Sequence, residues 1–143
     1  MPTAIITGGA VRLGKSFALH LASKGYDIAL HFSKMRPEVQ SVLDQLNNMN
    51  VKSKGYTCDF SNMKNAEELL NKVSSDFSNI TLLINSAANF IQENIENTNS
   101  QHLLETIHIN LLSPFILMRE YKKKFNQGMI VNILDERILR NVP

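Results

Sequence analysis

Three stretches of this chain hold residue types able to do chemistry. The first is "TAIITGGAVRLG". Gly8, Gly9 and Gly14 follow a short apolar run and open an amphipathic segment that begins at Leu13. Glycine adopts backbone conformations barred to other residues. A turn of this kind presents free backbone N–H groups beside a helix N-terminus, which suits a phosphate or pyrophosphate. A tight strand-to-helix turn with no ligand is the other reading. The spacing is T-G-x-x-x-R-x-G, with Arg12 inside it, and not G-x-G-x-x-G.

The second stretch is "LHFSKMRP". A dinucleotide fold places a carboxylate about 20 residues past its glycines to hold the ribose 2′-OH. Here no Asp or Glu stands at the end of the second apolar run. Ser33 and Lys34 do. A hydroxyl and a cation suit a 2′-phosphate, so the residues predict NADPH over NADH. Ordinary loop charge is the alternative for Lys34 and Arg36. His31 reads as a strand residue with no metal-ligand cluster around it.

The third is "LLINSAANF". Asn85 closes an apolar run, and Ser86, Ala87 and Ala88 are small enough for a flat ligand to come close. Phe90 is an aromatic in a polar loop, either a ligand contact or core packing. Downstream, Asn110 sits inside a helical pattern with Pro114 after it. Asparagine is a modest helix former, and proline removes a helix hydrogen bond, so a distorted turn is expected there.

The elements that must position these residues alternate. Strands are expected over 4–7, 27–32, 52–57, 80–85 and 129–133. Helices are expected from Leu13 to Lys24, from Pro37 onward, around 66–77, and over 101–124. Such alternation argues for a Rossmann-like, three-layer αβα fold around a parallel sheet of about five strands. The order 3-2-1-4-5 satisfies the right-handed crossover rule. It places a crevice beyond the carboxyl ends of the first and fourth strands. The last strand reads as buried, and the loop after it runs through Asp135 to Pro143.

At 143 residues the chain is the size of one domain, with 43% hydrophobic and 20% charged residues and a net charge of +2. That balance gives no electrostatic case for nucleic acid. Lys122, Lys123 and Lys124 suit a helix C-terminus. One cysteine, Cys58, fits a reducing cytoplasm and reads as core. No apolar run has the length of a membrane span, and the first residues lack a signal-peptide pattern.

The glycine turn resembles that of the short-chain dehydrogenase/reductase family. Arg12 in place of the middle glycine is similar to the pteridine-reductase branch. That resemblance implies further roles. Gly8, Arg12, Leu13 and Gly14 would hold the cofactor, with Ser33 and Lys34 at its 2′-phosphate. Asp59 and Phe60 in "TCDFS" match the family's adenine-contacting pair, although a turn or cap role for Asp59 stays open. Asn85, Ser86, Ala87 and Ala88 stand at the family's N-N-A-G, with the second Asn and the Gly both replaced. Phe90 would sandwich a pterin against the nicotinamide. Asn110 would kink its helix and hold a water. Asp135 stands where the family places a catalytic serine, and pteridine reductases also carry an Asp there. It would relay a proton, and Arg12, Phe90 and Asp135 would bind substrate.

The family's Tyr-x-x-x-Lys is absent from these 143 residues. Tyr121 is followed four positions on by Phe125. The chain therefore reads as one NAD(P)-binding domain over 1–143, C-terminally incomplete relative to the family and inactive alone. A small-molecule substrate is expected if a second segment completes it. Leu104, Leu111 and Phe115 are expected to be exposed, with a homo-oligomer forming through helix 101–124. Alternatives are a catalytically silent NADP-binding or interaction module, or another carbonyl reductase such as a 3-oxoacyl reductase.

Overall fold

The structure, a computed structural model, describes residues 1–135. Its elements run β1 (Thr3–Ile6), α1 (Arg12–Ser23), β2 (Asp27–Phe32), α2 (Pro37–Asn47), β3 (Ser53–Thr57), α3 (Met63–Asp76), β4 (Ile80–Asn85), α4 (Ser100–Ile107), a π turn (His108–Leu112), α5 (Ser113–Lys124) and β5 (Met129–Asn132). The five strands are parallel in the order β3-β2-β1-β4-β5.

Successive strand residues point to opposite faces of a sheet. Here both faces are apolar, as a parallel sheet covered by helices on each side requires. Ala4, Ile6, Ile28, Leu30, Leu82 and Ile84 meet Ala18 and Ala22 of α1 and Val42 and Leu46 of α2. Ile5, Ala29 and Leu83 face the other way. They meet Leu69, Leu70 and Val73 of α3 with Leu117 and Tyr121 of α5. This split makes the three layers.

Two expectations need correction. The single helix over 101–124 is three pieces, because the chain widens into a π turn at 108–112. The break falls where Asn110 and Pro114 predict a distortion, and Pro114 lies in the first turn of α5. The strand at 129–133 takes the edge place that the order 3-2-1-4-5 gives it, but it is half-covered and not buried. Met129 is 63% exposed, and Ile130 and Val131 are half-buried. Apolar composition marked it as core, but only β4 pairs with it among the described residues. Leu104, Leu111 and Phe115 are more than half exposed, as expected. The charged loop expected to reach Pro143 lies, beyond Asp135, outside the described residues. No described helix is long and apolar enough to cross a membrane.

Candidate functional site

The switch in winding direction lies between β1 and β4, and the glycine turn rises from the end of β1 there. Gly8 has φ of +63°, a region where an L side chain is strained, and Arg12 also has positive φ, +47°. A Cβ on Gly8 would lie 2.9 Å from the Ala87 Cα. The glycine turn and the loop after β4 therefore touch backbone to backbone. A Cβ on Gly14 would lie 2.2 Å from the Gly8 carbonyl oxygen, so α1 starts directly beneath the turn.

Helix α1 has Val11 as its N-cap, with no side-chain cap and no acidic residue in its first turn. The first N–H groups of a helix lack intrahelical partners, and among the described residues no side chain takes them. Arg12 and Leu13 are exposed around this end. A cavity of about 440 Å³ lies between Arg12 and Lys15 on one side and Pro37 and Ser41 of α2 on the other.

Thr7 joins the two loops. Its side chain is buried, and Oγ1 accepts from the backbone N–H of Ser86 and of Ala87, both at 3.0 Å. Oγ1 also donates weakly to the Ile84 carbonyl at 3.4 Å.

On the β2–β3 side, Ser33 and Lys34 are exposed at the end of β2. The exposed Asp59 carboxylate accepts from the Ser61 N–H at 2.9 Å. That bond is the main reason its pKa lies below the usual carboxylate value, and the positive charge of Lys34 adds to the shift. Asp59 thus makes a local turn, while the N-cap of α3 is Asn62. Phe60 keeps only its backbone for the cofactor role that the resemblance implies. Its ring is buried and stacks on His31, centroids 4.0 Å apart, so no side-chain contact with a ligand is open to it. Cys58 is half-buried against the core rather than within it, and burial raises its thiol pKa to about 11.

At the end of β4, Asn85 is buried and its amide donates to Asn132 Oδ1 of β5 at 2.8 Å. Ser86 and Ala87 are half-buried beside Thr7. The Asn110 side chain grips the backbone of Asn89 from both sides. Its Oδ1 accepts from the Asn89 N–H, and its Nδ2 donates to the Asn89 carbonyl, each at 2.9 Å. The π turn thus fixes the β4 loop, and the Asn110 amide acts as a clamp. One residue on, Phe90 is 66% exposed. Asp135 is exposed, two residues past Ile133, whose N–H donates to the Asn85 carbonyl. Burial raises the Tyr121 and Tyr56 hydroxyl pKa values, the latter helped by Asp76, so neither is tuned to release a proton near neutrality.

Sequence reasoning missed Thr7, His31, His108 and Ser113. The threonine had a signal, standing directly before the first glycine at a strand end. The other three act on backbone atoms distant in sequence and had none.

Comparisons with known proteins bear on the family and the fold. A sequence profile described as short chain dehydrogenase matches residues 2–136. The 2-dehydro-3-deoxy-D-gluconate 5-dehydrogenase of Pseudoalteromonas atlantica is 31% identical over 121 residues, covering 85% of this chain and 48% of that protein. A Staphylococcus epidermidis 3-oxoacyl-[acyl-carrier-protein] reductase is 22% identical, over 92% of this chain and 55% of that one. The alcohol dehydrogenase of the archaeon Thermococcus sibiricus, solved with 5-hydroxy-NADP, superposes with a TM-score of 0.89 at 21% identity, over all of this chain and 62% of that one. The chain spans about half the length of the curated relatives it matches.

Proposed function

The chain belongs to the short-chain dehydrogenase family, and from that premise we propose that it is the dinucleotide-binding portion of an NADPH-dependent reductase. The observation that carries this reading is the join at the switch point. Thr7 and Gly8 hold the loop after β4 against the glycine turn, above a helix whose N-terminus no described side chain caps. Ligands of open α/β sheets bind at such a switch point. A side chain at Gly8 would strike the Ala87 backbone and part the two loops, and the uncapped first turn of α1 suits a pyrophosphate.

The nicotinamide, when bound, supplies a hydride to a C=N or C=O bond. The chain's own residues bind and orient. The turn at Gly8, Leu13 and Gly14 receives the pyrophosphate. Ser33 and Lys34 receive the 2′-phosphate, which favours NADP over NAD. The Asp59 carboxylate accepts from the adenine amino group, and Phe60 contributes only its backbone. Asn85, Ser86 and Ala87 flank the nicotinamide. Arg12 and Phe90 receive the substrate ring, and Asp135 holds or moves a proton there. Asn110 positions the loop that carries Phe90. The substrate class these residues favour is a flat nitrogen heterocycle such as a pterin, reduced once a further segment adds the Tyr-x-x-x-Lys pair. Arg12, Phe90 and Asp135 support it together. A 3-oxoacyl substrate has the Staphylococcus relative in its favour but no residue here that singles it out.

The test is discrimination between NADPH and NADH. Charge-assisted hydrogen bonds contribute about 1.5–3 kcal/mol, so Lys34→Ala should weaken NADPH about ten- to a hundred-fold and leave NADH unchanged. Equal loss for both, or none, would remove Lys34 from the 2′-phosphate.

A further inference from the structure

The turn that follows β3 is held from all sides. Four consecutive carbonyls, 58 to 61, are each bound by a side chain from elsewhere. Asn65 of α3 donates to the Asp59 carbonyl at 2.7 Å. Ser113 of α5 donates to the Phe60 carbonyl at 3.1 Å. His108 of the π turn donates through Nδ1 to the Ser61 carbonyl at 2.8 Å. His31 of β2 bonds the Cys58 carbonyl through Nε2 at 2.8 Å.

Among the described residues, His31 differs from the other three in having a second partner. Its Nδ1 accepts from the Gly8 N–H at 3.3 Å. The two bonds fix its state. An acceptor Nδ1 carries no proton, so Nε2 carries it and donates to Cys58. The ring is 2% exposed and lies flat on Phe60, at 14° between planes. One neutral imidazole therefore spans the glycine turn and the turn that carries Asp59.

We propose that His31 is a positioning residue that couples the glycine turn to the Asp59 turn, so that dinucleotide affinity depends on its neutral, Nε2-protonated form. This inference rests on the reading of the site as a dinucleotide site. A proton on Nδ1 would face the Gly8 N–H donor to donor and open the link at Gly8, in the turn where the pyrophosphate would sit. The titratable groups around the ring do not favour that proton. Tyr56, its register partner on β3, and Cys58 are both kept neutral by burial. Lys34, near the end of its own strand, and Asp59 are exposed and opposite in sign, and Arg12 stands exposed beyond the glycine turn.

Three variants separate the two links. His31→Asn places an amide oxygen where Nδ1 accepts. His31→Gln places an amide nitrogen where Nε2 donates. His31→Phe keeps the ring stack and removes both bonds. The backbone amide of Gly8 is followed by NMR in isotope-labelled protein without ligand, across pH 7.5 to 4. NADP⁺ affinity is measured separately at pH 7.5. In the wild type the Gly8 amide should shift in step with protonation of the His31 ring. His31→Asn should keep the Gly8 resonance near its wild-type position and remove that titration, while His31→Gln and His31→Phe should displace it. His31→Phe should weaken NADP⁺ about ten-fold, the size of one lost hydrogen bond, with His31→Asn closer to wild type. A Gly8 amide indifferent to His31 protonation, or wild-type NADP⁺ affinity in folded His31→Phe, would overturn the proposal. No NADP⁺ binding by the wild type would overturn the dinucleotide reading instead. The Gly8 titration would then still report on the link itself, so the two failures are distinguishable.

Discussion

Replacing Thr7 by valine tests the join between the two ligand loops. Valine keeps the β-branched shape and exchanges Oγ1 for a methyl group. The N–H groups of Ser86 and Ala87, each now 3.0 Å from Oγ1, would lose their acceptor. The Ile84 carbonyl would lose little, because the backbone N–H of Thr7 still donates to it at 3.0 Å. Ser86 and Ala87 are half-buried, so water compensates in part and the low end of the cost of an orphaned donor applies, about 1 kcal/mol each. The total is about 2 kcal/mol. With a urea slope of about 1–3 kcal/mol per molar, the unfolding midpoint should fall by roughly 1 M. Thr7→Ser is the control. It keeps the hydroxyl and loses one buried methyl group, about 0.8 kcal/mol. Urea unfolding followed by circular dichroism gives both numbers. If Thr7→Val is as stable as the wild type, or less damaged than Thr7→Ser, the hydroxyl does not hold the loops and the reasoning fails.

The buried His31 sets an acid limit on stability. Its pKa is lowered to about 4, chiefly by burial and against the raising effect of the Cys58 carbonyl. The unfolded chain titrates at the ordinary value near 6.5. Above that neither state carries the charge. Between 6.5 and 4 the unfolded state takes up the proton and the folded state does not, so stability falls with pH by about 3 kcal/mol and then levels. Denaturation midpoints measured from pH 7.5 to 4 should show this fall in the wild type and a shallower one in His31→Asn; parallel curves would remove His31 as the cause. The exposed face of the π turn and α5, with Leu111 and Phe115, is a proposed surface for self-association. Phe115→Glu should then lower the mass seen by sedimentation without lowering stability, and an unchanged monomer in both proteins would rule that surface out.

The sheet was legible because both of its faces are apolar. Runs such as "TAII" and "TLLI" admit no amphipathic helix, and their spacing leaves room for one crossover each. The glycine turn was legible from local conformational demand, which glycine alone meets at Gly8. The break at 108–112 was half legible. Asn110 and Pro114 announce a distortion, but a π turn differs from an α turn by one residue, and no pattern of apolar positions resolves that. The edge place of β5 was legible from the expected strand order, while the exposure of Met129 was not, since Met129, Ile130 and Val131 have the composition of a core strand. The place of the Phe60 ring was not legible for a related reason. Its place after Asp59 pointed to a ligand, while its ring found His31, a partner set by the pairing of β2 with β3. The same pairing makes the His31 link, which no local reading of "LHFSK" contains.

A dinucleotide site within residues 1–135 is what we propose. The chain has no tryptophan, so the fluorescence of reduced nicotinamide can be followed with little protein background. Titration of the 143-residue chain with NADPH, and in parallel with NADH, is the most direct measurement. Binding should be saturable and one-to-one, and tighter for NADPH. No saturable signal from either nucleotide would contradict it.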